Sequence, residues 1–307
     1  MWGKCQDADD ARPKRVLAYY YGWYAAPGWV ADSIYSPVLG DYISQDQVLM
    51  EQHCAWAKAA GIDGFICSWN RRDGRRTDEH FRRFLPILAR YGLVGCLMLE
   101  VASGDEAEQV AELTYLLEQH AQHPAYLTWC GRPVVFVYRV AVAAFNAQTW
   151  DRVIDALATF SPVLLGDPSH LPHSPGASAS WSSYFRYGFP DTVRERGLDT
   201  LQPWLAAFYE QEMRFCRPGM PSILAVMPGF NKNILRPNGL VNERHEGETY
   251  RTSWREAIRL NPNWIAINTF NEWYESSQIE PSVEHGIGAL TDTARFAETF
   301  KMMRPVY

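Results

Sequence analysis

Two glutamates stand three residues apart in the segment Asn271–Glu275, which reads Asn-Glu-Trp-Tyr-Glu. In a turn, this spacing allows both carboxyl groups to point into one pocket. Two neighbouring carboxyls in a dry site tend to have separated pKa values, so that one is ionised as a base and the other protonated as an acid. The pattern therefore predicts an acid–base pair, Glu272 and Glu275. A solvated turn with two ordinary surface acids is the alternative.

Further candidates lie where other apolar, strand-like runs end. Glu100 closes the run Cys96–Glu100, and a carboxylate in such a place is costly unless it meets a ligand or forms a salt bridge. Alternation along the first run places Tyr21 and Trp23 on one face, where Trp23, like Trp69 elsewhere, either lines a pocket or caps the core. The predicted substrate-binding residues are Tyr21, Trp23, Trp69, Glu100, Tyr138, Asn231, Asn271 and Trp273. Carboxyls that move protons, with aromatic rings that stack on sugars, favour cleavage of a glycosidic bond.

These candidates follow eight short apolar strands that alternate with helical segments. The strands are predicted to end near residues 24, 70, 101, 139, 167, 184, 228 and 270, and helices are predicted over 44–60, 77–91, 106–122, 149–160, 199–215, 250–260 and 291–303. Such alternation is typical of parallel βαβ units, and at this length it predicts a single (β/α)₈ TIM barrel over residues 15–307, after an N-terminal extension of residues 1–14. A doubly wound sheet is the competitor, but its glycine-rich phosphate loop is missing from the sequence.

Composition narrows the classes of function. The 307 residues are 47% hydrophobic and 21% charged, with a formal net charge of −6. These values are ordinary for a globular protein, and the acidic balance disfavours nucleic-acid binding. The aromatic content of 14% is high, and it indicates either a Trp-rich core or a site for flat, hydroxylated ligands. No run of 18 apolar residues is present, so no membrane span is expected.

Cysteines and histidines indicate no metal site. The six cysteines form no CxxC pair, and no two histidines have the i, i+4 spacing of a helical zinc site, so we expect neither a metal nor a cofactor. Cys67 and Cys96 are predicted to be buried thiols, which favours a reducing compartment. Residues 1–15 lack the apolar stretch of a signal peptide, so a cytoplasmic location is expected, or a periplasmic or secreted one if a signal has been removed.

The segment Thr269–Pro281, TFNEWYESSQIEP, resembles the NEWxE…(Q/L)xEP signature of glycoside hydrolase family 99, the endo-α-1,2-mannosidase and mannanase family, and of its bacterial WbsX-like relatives. Four other segments agree with the family in their order along the chain: Tyr19–Tyr24, His53–Ile66, Leu97–Glu100 and Met227–Asn231. The resemblance extends from about residue 15 to residue 281, and the motif after the eighth strand is its most specific part.

The resemblance implies a retaining, endo-acting α-mannosidase-like enzyme on a (β/α)₈ barrel that needs no metal. By position in the motif, Glu272 would assist attack by the sugar's own 2-hydroxyl, which yields a 1,2-anhydro sugar intermediate. Glu275 would protonate the leaving oxygen and then activate water, and Glu100 would hold hydroxyls of the sugar that is cleaved. Loss of either strand-eight glutamate should cost far more activity than loss of a neighbouring acid such as Glu280 or Glu284.

Two alternatives remain open. The segment Tyr274–Ser277 stands where the family usually has HEGT and is closer to the WbsX-like relatives, for which glycosyl transfer in polysaccharide metabolism is the second hypothesis. A non-catalytic carbohydrate-binding barrel is the third, and the intact pair of glutamates argues against it. Dependence of turnover on a nucleotide sugar would separate transfer from hydrolysis.

Overall fold

The computed structural model describes residues 13–25, 27–72, 74–167, 181–184, 198–233, 235 and 239–304. Within these ranges the eight predicted strands are present and form one parallel sheet. We number them β1 Arg15–Tyr20, β2 Gly64–Trp69, β3 Val94–Leu99, β4 Arg132–Val137, β5 Val163–Gly166, β6 Ser183–Tyr184, β7 Ile223–Val226 and β8 Trp264–Ile267. The predicted ends at residues 70, 167 and 184 lie within one residue of the observed ends.

Hydrogen-bonded neighbours follow the order β6-β5-β4-β3-β2-β1-β8-β7. The first and last strands of the barrel are joined, with Arg15 of β1 opposite Trp264 of β8. All seven of these strand pairings are parallel, as expected when each strand returns through a helix. The fold is the (β/α)₈ barrel that the alternation of strands and helices predicts.

Helices on the outside of the sheet connect the strands. They are α1 Gln47–Ala59, α2 Thr77–Tyr91, α3 Glu106–Gln119, α4 Arg139–Ala143, α5 Ala147–Ala156, α6 Leu198–Met213, α7 Glu248–Arg259 and α8 Gly288–Lys301. Helix α1 begins later than predicted because Asp46 caps it, its carboxylate accepting from the Val48 N–H at 2.8 Å. The short α4 and two small antiparallel pairs, Thr128–Trp129 with β4 and Phe230–Asn231 with Val241–Asn242, were not predicted.

The two faces of the strands differ in their neighbours. Tyr19 of β1 contacts Phe136 of β4 across the barrel interior, with ring centroids 6.4 Å apart. The next residue, Tyr20, points outward to His80 and Phe84 of α2. Because β1 and β2 pair with Tyr20 opposite Cys67, alternation places Trp69 on the outer, helix-facing side as well.

The cysteines of the described ranges occur in two states. Cys54, Cys67, Cys96 and Cys216 are free thiols, and the first three are buried, as predicted for Cys67 and Cys96. Cys130, in contrast, is disulfide-bonded. In the described part of the chain, no helix has the length and apolar character needed to cross a bilayer.

Candidate active site

The loop that follows β8 folds back on itself and carries both central glutamates. The Phe270 N–H donates to the Tyr19 carbonyl at 2.8 Å, which ties the loop to β1. The Thr269 N–H donates to the Ser277 carbonyl at 2.8 Å, and the Thr269 hydroxyl accepts from the Glu272 N–H at 2.8 Å. This closed turn places Glu272 and Glu275 at the carboxyl end of the barrel, where (β/α)₈ enzymes build their sites.

Glu272 is buried, with 3% of its surface exposed. One of its carboxyl oxygens accepts from the Tyr274 N–H at 3.2 Å. Burial raises the pKa of Glu272 well above its usual range, and the negative charges of Glu275 and Glu100 raise it further, while the charge of Arg75 opposes them. The surroundings of Glu272 therefore oppose its ionisation more than they support it.

Glu275 has a different environment, since its side chain is about one-fifth exposed and ion-paired. The Lys232 ammonium lies 2.8 Å from its carboxylate, with the Glu275 side chain 21% exposed. The Glu275 carbonyl accepts from the Asn231 N–H at 2.8 Å, so the segment after β7 meets the loop after β8. The side chain of Asn231 accepts from the Asn233 N–H at 3.0 Å, and Asn231 thus shapes this segment.

A partly buried arginine holds the far end of the loop. Arg244 donates from its Nη2 to the carbonyls of Ser276 and Gln278, both at 2.8 Å. Ser276 has a φ of 55°, in the left-handed region that a serine rarely adopts, so its position depends on such support. Desolvation by burial lowers the pKa of Arg244 to about 10, which leaves it charged at neutral pH.

Glu100 and Tyr138 lie on the opposite side of the space from β8. Burial raises the pKa of Tyr138, and the charge of Arg139 lowers it, while the negative charges of Glu100, Glu275 and Asp167 raise it. These groups therefore surround one region at the ends of β3, β4, β5 and β8. Sequence reasoning missed Asp167, although this buried acid directly follows the apolar run of β5 just as Glu100 follows β3.

Aromatic residues after β1 form a wall of the same region. The rings of Tyr21 and Trp23 are 4.4 Å apart, and the Arg75 guanidinium lies 4.5 Å from the centre of the Trp23 ring. Asn271 is fully buried and holds the Tyr21 backbone from both sides: its amide N–H donates to the Tyr21 carbonyl at 2.9 Å, and its amide oxygen accepts from the Tyr21 N–H at 2.8 Å. Asn271 thus positions Tyr21 relative to Glu272.

Trp69 and Trp273 are both fully buried. The Trp69 indole faces the helices and donates to Asp78 at 3.1 Å, because the alternation of β2 turns it outward. The Trp273 indole donates to Glu280 at 2.9 Å. Both indole N–H groups are thus bonded to protein carboxylates other than Glu272 and Glu275.

A separate cavity lies next to this site. A cavity of about 580 Å³ lies beyond Arg244, between the starts of α7 and α8, and includes Tyr35, His245 and His285 but none of the predicted site residues. No group of three His, Cys, Asp or Glu side chains suited to a metal ion occurs within the described ranges.

Comparison with known proteins shows which family the chain resembles in sequence and fold. The chain matches glycosyl hydrolase family 99 over residues 27–161 and 205–297. It also shares its fold with a solved GH99 endo-alpha-mannosidase from Bacteroides thetaiotaomicron, at a TM-score of 0.78 and 20% identity, covering 95% of this chain and 99% of that one.

Curated relatives agree in sequence over most of the chain. The glycoprotein endo-alpha-1,2-mannosidase of Rattus norvegicus is 24% identical over 297 residues, which cover 88% of this chain and 61% of the relative. The glycoprotein endo-alpha-1,2-mannosidase-like protein of Homo sapiens is 21% identical over 293 residues, covering 88% and 62%. The chain thus spans about three-fifths of the length of these relatives. From the extent of the family match, the chain belongs to glycosyl hydrolase family 99.

Proposed function

We propose that the protein is a retaining glycoside hydrolase that cleaves an α-linked, mannose-containing glycan. The observation that carries this proposal is the pair Glu272 and Glu275, which share one loop at the end of β8 but have different environments, one buried and one ion-paired. The names of the rat relative and of the Bacteroides enzyme support an α-mannoside as the substrate.

In the proposed mechanism, Glu272 removes the proton from the sugar 2-hydroxyl as that oxygen attacks the anomeric carbon. The bond to the leaving oxygen breaks, Glu275 protonates that oxygen, and a 1,2-anhydro sugar forms. Glu275 then takes a proton from water, which opens the three-membered ring at the anomeric carbon while Glu272 returns its proton to O2. A sugar hydroxyl is a weak acid, so the raised pKa of Glu272 suits it to the role of base.

The environments of the two carboxyls set a condition on this mechanism. Burial raises the pKa of Glu272, whereas the Lys232 ammonium lies 2.8 Å from the carboxylate of Glu275. The proposed roles therefore require that Glu275 faces the leaving oxygen, rather than Lys232, when the glycosidic bond breaks.

The surrounding residues would recognise the sugar itself. Glu100 and Asp167 present carboxyl oxygens to hydroxyls from the side of β3 and β5, and Tyr138 adds a phenol between them. Trp23, with Arg75 over its ring, offers a platform on which the C–H face of a sugar ring stacks.

A glycan panel followed by NMR of the products tests the proposal. We expect cleavage of α-linked mannosides, with the α-anomer as the first product because two successive displacements retain configuration. The double variant Glu272→Gln/Glu275→Gln serves as the inactive control. Release of the β-anomer first, or turnover that persists in the double variant, would contradict the proposal.

A further inference from the structure

A third glutamate, Glu280, lies on the opposite face of the loop from Glu272. Its side chain is fully buried, at 0% exposure, in contrast to the ordinary neighbouring acid that the sequence suggests. One carboxylate oxygen accepts from the Tyr42 hydroxyl and from the Trp273 indole N–H, both at 2.9 Å. The other oxygen lies 3.2 Å from Nε2 of His53. We name Tyr42, His53, Trp273 and Glu280 the anchor cluster.

The anchor cluster connects the loop to separate parts of the barrel. Tyr42 comes from the segment between β1 and α1, and His53 from α1, where its Nδ1 lies 3.0 Å from the Tyr20 hydroxyl. Trp273 is the residue next to Glu272 and two before Glu275. The Trp273 indole N–H also lies 3.1 Å from the Tyr42 hydroxyl. The position of Trp273, and with it the turn between the two glutamates, therefore depends on a carboxylate outside the site.

The chemistry of this contact explains why a charged residue is used. A buried carboxylate is costly unless donors surround it, and here three donors from three segments converge on it. Loss of the carboxylate would leave the Trp273 and Tyr42 donors without their common acceptor, which costs more than the loss of one exposed bond. The Trp273 indole N–H would keep only the Tyr42 hydroxyl, 3.1 Å away, and that hydroxyl would itself have lost its acceptor.

We propose that Glu280 is a positioning residue, which fixes Trp273 and thereby the relative orientation of Glu272 and Glu275. This inference rests on the function proposed above. Since Glu280 is buried on the helix side, it contacts no substrate, and its effect should fall on the chemical step rather than on binding. A misplacement of about 1 Å in catalytic groups can cost about 10²-fold in rate.

Kinetics of matched variants provide the first test. Glu280→Leu removes every acceptor and should lower kcat by about 10²-fold while KM changes less than about threefold. Glu280→Gln keeps the shape and one acceptor oxygen, and should recover kcat to within about tenfold of wild type. Glu284→Leu, at an exposed acid in the same segment, is the control and should change kcat by less than about twofold. A loss confined to KM, or an equal loss in Glu280→Gln and Glu280→Leu, would overturn the proposal.

A double-variant cycle separates positioning from general stability. In the Glu272→Gln background only the orientation of Glu275 still matters for proton transfer, so Glu280→Leu should lower kcat by a smaller factor there than in wild type. An equal factor in both backgrounds would show that Glu280 does not act through Glu272. If Glu280→Leu does not fold, Trp273→Phe removes the indole N–H together with part of the ring, and should show the same kcat-specific loss, by about tenfold.

Amide hydrogen exchange gives a reading that needs no turnover. Glu280→Leu should exchange the amides of Thr269, Glu272 and Ser277 at least about tenfold faster than wild type, whereas Glu284→Leu should not. Unchanged exchange would overturn the anchoring role even if the proposed function holds. Wild-type turnover in Glu272→Gln and Glu275→Gln would instead refute the proposed function, and exchange would still decide whether Glu280 holds the loop.

Discussion

Asp78 and Glu272 are both largely buried carboxyls near a tryptophan, yet their pKa values move in opposite directions. Asp78, at the start of α2, lies outside the barrel wall, by which we mean the ring of strands β1–β8. Its side chain is 13% exposed. Burial alone would raise its pKa, but the hydrogen bond and charge of His120, with hydrogen bonds from Trp69 and Tyr115, outweigh burial and hold the pKa at about 2. Glu272, inside the wall, is buried and has two negative neighbours, and both its burial and their charges raise its pKa.

The difference shows how one residue type serves two purposes in one barrel. Outside the wall, donors from several elements surround each buried carboxylate, so that Asp78 and Glu280 hold helices and loops in place. Inside the wall, Glu272 is buried beside other carboxyls, and both effects raise its pKa. The direction of a pKa shift therefore depends on whether the neighbours of a buried carboxyl oppose the effect of burial, as at Asp78, or add to it, as at Glu272.

The largest expected effect comes from the carboxyls inside the wall. Glu272→Gln and Glu275→Gln should each lower kcat by about 10²- to 10⁴-fold or more, because a positioned acid or base contributes about that much. Glutamine keeps the shape of the side chain, so KM and the melting temperature should stay close to wild type. Steady-state kinetics on the glycan identified in the panel checks this, with Glu284→Gln as control. Wild-type kcat in either variant would remove that residue from the chemistry.

The carboxyl outside the wall should affect stability instead of rate. Asp78→Asn should lower the free energy of unfolding by roughly 2 kcal/mol at neutral pH, since the gap between its folded and unfolded pKa values stabilises the fold by about that amount. The lowered pKa means that this stability is present above the ordinary value of 3.8 and is lost as the pH falls towards 2. The difference in the free energy of unfolding between wild type and Asp78→Asn should therefore shrink as the pH falls across that interval.

Denaturant unfolding of wild type and Asp78→Asn at pH 7 and at a series of lower pH values measures the difference in the free energy of unfolding. The kcat/KM of Asp78→Asn should differ from wild type by less than about threefold. A stability difference that grows as the pH falls, or a loss of rate in Asp78→Asn without a loss of stability, would contradict the claim that Asp78 stabilises the fold while Glu272 acts in the reaction.

The smallest effect distinguishes the two tryptophans that the sequence assigned to one pocket. Trp23→Leu should raise KM roughly fivefold, because it removes an aromatic platform worth about 1 kcal/mol. Trp69→Phe should leave KM unchanged and cost at least about 1 kcal/mol of stability, because it removes the hydrogen bond to Asp78 and leaves a cavity where part of the indole was. Kinetics and denaturation of both variants measure this. A higher KM for Trp69→Phe would place that indole at the substrate.

The sequence predicted the barrel, because eight apolar runs separated by helical periodicity fit few other topologies. It placed the ends of β1 and β8 too late, at residues 24 and 270 instead of Tyr20 and Ile267. The sequence could not show which residues of β2 face the barrel interior and which face the helices. Gly64–Trp69 is buried along its whole length, since parallel strands pack on both sides, and no polar alternation marks the interior. Trp69 was therefore assigned to the wrong side of the wall.

Other errors at the site have similar causes. Asp167 carries the same signal as Glu100, an acid at the end of an apolar strand, and it is found from sequence only when the end of β5 is considered with the others. Glu280 looks like a surface acid in sequence because its donors, Tyr42 and His53, are 238 and 227 residues away along the chain. Contacts of that separation do not appear in a local pattern.

The central claim, that Glu272 and Glu275 divide the roles of base and acid, is tested most directly with a glycosyl fluoride of the cleaved glycan. Fluoride departs without a proton, so the first step should recover in Glu275→Gln and remain slow in Glu272→Gln. Pre-steady-state fluoride release from each variant measures that step. Equal recovery in both variants, or recovery in Glu272→Gln alone, would contradict the division of roles.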